Sequence, residues 1–378
     1  MTRMRTITRP AAVALFFVLT LMPVALFGVN GPWPGRGEPL LAPPAPFPPS
    51  LTSNTFRRIG GWFGDRIGLR YPLLKLGSEI SVAVWQPRVF RDTIFGRYPW
   101  LFSSDDESRH AALMADLRGR LRFDDETAAR FDGWLRTAHD RLAACGKMAL
   151  VMVAPNKQSI YPEQVNDLAR TYPRTRLDDL LQRLSPAARS MIVDPRPGLR
   201  AAKANDPVPL FLRTDSHWNG LGAFRAYQTI VQALAGSSAI DRPELATLDN
   251  YDIEVEPFEG GDMAVNVLHL PWHFADDKVT LRAKKMPPPI TMTKDGQHWI
   301  YANPEGKGRL LLLGDSFAPP LAALLAGHFR EVDLRLKQIW PVPLESNADV
   351  ILVEIVERHL TELVQMPPAL ARGCPGAS

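Results

Sequence analysis

Two apolar patterns alternate along this chain: residues recurring at spacings of three and four, and short runs with no polar interruption. The first pattern predicts helices with one buried stripe, the second predicts strands buried on both faces. Phe56, Ile59, Phe63 and Ile67 predict a helix that ends near Gly68 and Arg70. Over 125–145 the stripe Phe131, Leu135, Ala138 and Leu142 predicts another, with Gly146 as its stop signal. The run 148–154, ending at Pro155, predicts a strand, and so do 191–193, 209–212, 310–313, 332–336 and 350–356. Helices are expected at 177–184 and along the stripe Phe224, Tyr227, Val231 and Leu234. Strands that alternate with helices imply an α/β fold of three layers, in which helices cover both faces of a mainly parallel sheet.

The rhythm breaks over 240–300, where charges are scattered around Gly260-Gly261 and Pro287-Pro288-Pro289. That stretch is expected to be an insertion of loops and short antiparallel strands. At the other end of the chain, Arg3, Arg5 and Arg9 precede an apolar run over 11–29. This predicts an N-terminal membrane helix within 1–30, and an uncleaved anchor is favoured over a cleaved signal because no small-x-small site follows it. Residues 31–55 are expected to be a Pro- and Gly-rich linker, 56–365 the domain, and 366–378 a tail.

Charge changes the picture little. The 44 basic and 40 acidic residues are interspersed, and the net charge of +4 builds no basic face, so nucleic acid is not an expected partner. An exported domain would sit in an oxidising compartment, where Cys145 and Cys374 can pair; the sequence leaves that pairing open. His269 and His273 stand four apart, but Pro271 between them argues against one helix face, and no further ligands complete a metal site. His328 and His359 are expected at packing or surface positions. Neither a metal nor a cofactor is expected.

Candidate chemistry lies in two short segments. Gly314-Asp315-Ser316 follows the 310–313 strand and precedes a helix expected near Ala318, which places Ser316 at a strand's carboxyl end against a helix N-terminus. Asp215-Ser216-His217-Trp218-Asn219 follows 209–212, and Asp215 and His217 can meet either by same-side projection in an extended segment or through a turn. A carboxylate that holds one ring nitrogen lets the other take a serine proton. Asn219 is expected to cap the next helix. Gly-Asp-Ser alone arises by chance in roughly one chain of this size in ten, so the pairing of both segments at strand ends carries the reading.

Asp-x-His-Trp followed by a later Gly-Asp-Ser-Phe resembles the alginate O-acetyltransferase family of SGNH-hydrolase-like proteins, the AlgJ and AlgX type, in which Asp and His precede the serine. Asp65, Gly68 and Arg70, the segment Gly96 to Phe102, Pro155-Asn156-Lys157 with Tyr161-Pro162-Glu163, and Gly261-Asp262-Met263 are similar to further family segments in the same order. Tyr98-Pro99 departs from the smaller residues usual before Trp100. The resemblance implies Ser316 as nucleophile, His217 as general base and Asp215 as its orienting partner, with Lys157, Tyr161, Trp218 and Asn219 as candidate substrate-binding residues. For Lys157, Tyr161 and Trp218 a packing role stays open. It further implies a polysaccharide acceptor, a multispanning membrane acyltransferase as donor partner, and a bacterial inner-membrane protein with its catalytic domain in the periplasm. An acetylesterase and a noncatalytic glycan-binding subunit remain alternatives.

Overall fold

The structure, a computed structural model, describes residues 9–29, 53–85, 89–90, 93–104, 115–116, 120–166, 174–235, 242–285, 289–337 and 347–365. The chain divides into two compact units, residues 1–87 with 262–274 and residues 88–261 with 275–378.

In the first unit, α1 (Arg9–Ala25) is followed by α2 (Ser53–Arg66) and α3 (Arg70–Ile80). The apolar run does not stay helical to residue 29. Gly28 adopts φ 87, its N–H donates to Arg66 O at 2.7 Å, and Gly68 N–H donates to Pro23 O at 2.7 Å. A Cβ on Gly68 would lie 2.3 Å from Leu26 O, so only glycine allows this approach. The 17 residues of α1 rise about 25 Å, against the roughly 30 Å of a bilayer's hydrocarbon layer. Among the described residues no helix is long and apolar enough to cross a membrane. Asp65 and Arg70 pair at 3.4 Å, and Arg70 also donates to Gly64 O at 2.6 Å, so the Asp-x-x-Gly-x-Arg segment is a local clamp. The expected linker lies outside the described residues as far as 52, its last residues 53–55 already belong to α2, and the tail over 366–378 lies wholly outside the described residues.

The second unit begins with a small antiparallel sheet of β1 (Val89–Phe90), β2 (Thr93–Phe95) and β3 (Leu101–Ser103). Then follow α4 (Asp125–Ala144), β4 (Met148–Ala154), α5 (Lys157–Ile160), α6 (Arg176–Arg183), α7 (Pro186–Ser190), β5 (Ile192–Val193), α8 (Arg196–Asn205) and α9 (Gly220–Ala233). An antiparallel ribbon of β6 (Tyr251–Phe258) and β7 (Asp276–Ala283) precedes β8 (Thr291–Asp295), β9 (His298–Ala302) and β10 (Arg309–Gly314). The chain continues through α10 (Ala318–Leu325), β11 (Glu331–Leu336), β12 (Val350–Val356) and α11 (Leu360–Gln365).

The main sheet has the order β5-β4-β12-β10-β11-β9-β8. Its first five strands run parallel, and β9 and β8 add antiparallel at the far edge. Strand alternation sorts the core into two layers. Leu150, Met152, Leu310, Leu312, Val350 and Leu352 pack with α9 and α10, whereas Val151, Val153, Leu311, Leu313, Ile351 and Val353 pack with α4, α6, α7 and α11. The expected three-layer fold is therefore present.

Two expectations need correcting. Residues 209–212 form no strand; Phe211 makes one isolated bridge to Trp218, because the chain folds back on itself with Leu212 N–H donating to His217 O and Asn219 N–H to Leu210 O. The stretch 240–300 is not wholly an insertion, since β8 lies within it and extends the main sheet together with β9. Every residue of β8 is exposed, which is why it lacks the apolar run of a central strand.

Candidate active site

Ser316 stands two residues past β10, in the turn that leads to α10. Gly314 is needed there: a Cβ would lie 2.7 Å from Ala318 Cβ and 2.8 Å from a Glu354 carboxyl oxygen. Asp315 ties the turn together, accepting Phe317 N–H at 2.9 Å through Oδ1 and Val356 N–H at 2.8 Å through Oδ2. Ser316 itself is exposed. It lies beside the first turn of α10, where backbone N–H groups without helical acceptors gather.

The other limb is a bent loop. Asp215 Oδ1 accepts both His217 N–H at 3.0 Å and His217 Nδ1 at 2.7 Å, so the pair meets through a turn rather than through same-side projection. A carboxylate can only accept, which assigns the ring proton to Nδ1 and leaves Nε2 as the acceptor. Nε2 lies 2.7 Å from Ser316 Oγ, across a sequence separation of 99 residues. The His217 side chain is 27% exposed and that of Asp215 15%, so the imidazole is reachable while its carboxylate partner is shielded. The geometry allows proton transfer from the hydroxyl to the ring and stabilisation of the resulting imidazolium.

A chain of buried contacts holds this loop. Lys157 is 2% exposed, and its Nζ donates to Leu212 O, Arg213 O and Asp215 O at 2.8, 2.9 and 2.7 Å. It also lies over the Phe102 and Trp100 rings, 5.1 and 5.7 Å from their centroids. Three carbonyl dipoles and two ring faces replace the water this ammonium has lost. The segment carrying Lys157 is anchored in turn by Glu357, which accepts Asn156 N–H at 3.0 Å and Ser159 Oγ–H at 2.5 Å and pairs with Arg196 at 3.5 Å. From the opposite side Asp276 accepts Arg213 N–H at 3.1 Å, and Thr214 N–H and Oγ1–H at 2.7 and 2.6 Å. Thr214 Oγ1 accepts Gly261 N–H at 2.6 Å, and a Cβ on Gly261 would sit 2.3 Å from Asp215 Cβ.

Of the expected site residues, Ser316, His217 and Asp215 come together. The four expected to bind substrate do not line a cleft. Lys157 is sealed inside as described. The hydroxyl of Tyr161 accepts Leu210 N–H at 2.8 Å, and burial pushes its pKa up to about 12. Trp218 is 4% exposed and packs edge-on against Phe317 at 5.0 Å. Asn219 is 7% exposed and caps α9, accepting Leu221 and Gly222 N–H groups at 3.1 and 3.0 Å and donating to Pro209 O at 2.6 Å. Long side chains near a motif read as ligands in a sequence; here backbone groups of the loop and of α9 take up the polar atoms of Lys157, Tyr161 and Asn219, and Trp218 packs by its ring. Sequence reading passed over Asp276, Glu354, Glu357 and Arg196. The lone acid within the otherwise apolar 350–356 run was a signal for Glu354.

His328 is buried at 0% exposure, with its Nε2 2.5 Å from the Tyr227 hydroxyl, so it is a packing histidine. His269 is 5% exposed, and its Nδ1 lies 3.2 Å from Val265 O. Cys145, at the end of α4, is disulfide-bonded, and Cys374 lies outside the described residues.

A three-layer α/β unit with Asp, His and Ser meeting at the carboxyl end of a central parallel strand defines the class as SGNH-hydrolase-like. The chain belongs to the family whose model is described as "SGNH hydrolase-like domain, acetyltransferase AlgX", matched over residues 93–317. Curated relatives include the probable alginate O-acetylase AlgJ of Pseudomonas putida, 29% identical over 178 residues, 45% of this chain and 42% of that protein. The AlgJ of Pseudomonas aeruginosa is 28% identical over 182 residues, 46% of this chain and 41% of that protein. The match thus spans under half the length of these relatives. Among solved structures, Bacillus cereus PatB1 with a sulfonyl adduct is similar at a TM-score of 0.47 and 15% identity, covering 62% of this chain and 88% of that one. The O-acetyltransferase domain of Pseudomonas putida AlgJ is similar at a TM-score of 0.41 and 18% identity, covering 76% and 96%.

Proposed function

We propose that this chain is an O-acetyltransferase that moves acetyl groups onto hydroxyls of an exopolysaccharide or cell-wall glycan through an acyl-enzyme on Ser316. One observation carries the proposal: the contact of 2.7 Å between His217 Nε2 and Ser316 Oγ, with Nδ1 held at 2.7 Å by Asp215. Family membership and the names of the AlgJ relatives support acetyl transfer as the reaction.

In the first half-reaction Ser316 Oγ attacks the acetyl carbonyl while His217 takes the hydroxyl proton and passes it to the leaving group. In the second, a glycan hydroxyl gives its proton to His217 and attacks the acyl-enzyme, and Ser316 recovers that proton as it departs. Backbone N–H groups at the start of α10 would receive the developing oxyanion. The same triad would release acetate if water were the acceptor. The N-terminal apolar segment would hold the chain at a bacterial inner membrane with the catalytic unit in the periplasm, and a multispanning acyltransferase would supply acetyl groups from across that membrane. The exposed Val13, Leu15, Phe16 and Phe17 of α1 support that attachment.

The test incubates the full chain with an activated acetyl ester and an oligosaccharide. Acetylated sugar and a Ser316 adduct located by mass are expected, with both lost and the rate lowered about 10⁴-fold or more in Ser316→Ala. Release of acetate without acetylated sugar would make the chain an esterase. If polymer acetylation in cells were undiminished by Ser316→Ala, a noncatalytic glycan-binding role would replace the proposal.

A further inference from the structure

Under the turn that carries Ser316 lies a carboxyl group that the reaction does not use. Glu354 is 0% exposed, in a strand whose other six residues are apolar. It shares strand parity with Val350, Leu352 and Val356, which places it on the sheet face covered by α9 and α10. Its backbone pairs with Met152 of β4. Its Oε2 accepts Asp315 N–H at 3.1 Å, while Oε1 has no hydrogen-bond partner among the described residues. The Asp315 carboxylate answers two residues further along β12 by accepting Val356 N–H at 2.8 Å, so the turn is pinned to β12 at two points.

An orphaned polar atom in a fully buried strand costs stability, and an apolar side chain of similar volume would pack there at lower cost. The group the carboxyl does serve is the N–H immediately before Ser316. Charged groups that face it are Asp315 in the turn and Arg358 beyond the end of β12. Burial, reinforced by the charge of Asp315, holds the Glu354 carboxyl well above the usual carboxylate range.

We infer that Glu354 is a positioning residue for Ser316: its carboxyl accepts the Asp315 N–H and thereby sets where the serine hydroxyl meets His217. The inference rests on the proposed role of Ser316. Ionisation would place two carboxylates side by side beneath the turn and move it. Activity is therefore expected to fall on the alkaline side in a way that an amide at this position removes.

The test compares the wild-type full chain with Glu354→Gln and Glu354→Leu, reading thermal midpoint, acetyl-transfer kinetics against pH, and the rate at which a small activated ester labels Ser316. The labelling rate needs no glycan, so it reports on the turn even if the natural reaction is not acetyl transfer. Glu354→Gln is expected to keep most of the activity and to lack the alkaline fall. Glu354→Leu is expected to hold or raise the thermal midpoint yet lower both kcat and the Ser316 labelling rate by about 10²-fold with KM unchanged, the loss typical of a misplaced reacting group. Infrared spectra of the wild type at neutral pH should show the carbonyl band of a protonated carboxyl that Glu354→Gln lacks. Equal labelling rates in Glu354→Leu and wild type would overturn the inference. So would Glu354→Gln as slow as Glu354→Leu, or the absence of that band. Normal Ser316 labelling without glycan acetylation would instead count against the proposed function and leave the positioning role standing.

Discussion

At the scale of single residues, the candidate site is braced by buried polar atoms. Lys157 illustrates this: one ammonium satisfies three carbonyls of the loop that presents Asp215. Lys157→Met keeps the length and removes the three donors. Orphaning those carbonyls should cost about 2–4 kcal/mol of stability, read as a lower urea midpoint, and kcat should fall roughly 10²-fold as the loop loosens. Undiminished kcat would show that the loop holds without it. Asp215→Asn tests the tautomer, because an amide can donate to Nδ1 and leave the proton on Nε2; a fall of about 10⁴-fold in kcat with little change in folding is expected. Lys157 also shows the limit of sequence reading. Its type and motif were visible, but whether its charge faced a ligand or a backbone depended on where residues 212–215 turned.

At the scale of elements, the reactive groups stand on loops braced by regular structure. β10 and β12 run side by side in the middle of the sheet, and the turn after β10 is tied to β12 through Glu354 and Asp315. The loop carrying Asp215 and His217 leans on the β6–β7 ribbon, since Asp276, the first residue of β7, accepts four hydrogen bonds from Arg213 and Thr214. Asp276→Ala removes both carboxylate acceptors at a position where Asp276 is 4% exposed. The expected outcome is loss of acetyl transfer with the far-UV circular dichroism of the sheet retained. Retained activity would mean that Lys157 suffices. β4, β10, β11, β12 and α9 were legible because each has one strong apolar period. β8, exposed along its whole length, offered none, and 209–212 is apolar yet folds back instead of joining the sheet.

At the scale of the whole molecule, stability should carry the mark of buried acids. Asp116 is 2% exposed, and burial, with Glu357 adding repulsion and Arg176 opposing it, raises its pKa to about 6 from the usual 3.8. The folded chain then binds this proton more tightly than the unfolded chain. The group therefore favours folding at low pH, and that contribution is lost as pH rises from about 4 to about 6, by on the order of 3 kcal/mol in total. Asp116→Asn should flatten the dependence of the urea midpoint on pH across that window. An unchanged slope would place the proton elsewhere.

The sequence by itself determined the alternation of buried strands and striped helices, and with it the three-layer α/β class. It also offered Asp215, His217 and Ser316 as candidates, because two short segments, each weak alone, stand in the order that the resembled family carries. Only the tertiary structure decided that His217 and Ser316 meet across 99 residues, and that Lys157 and Glu354 face inward. Those outcomes depend on which strands become neighbours and where a loop folds back, and no local propensity encodes either.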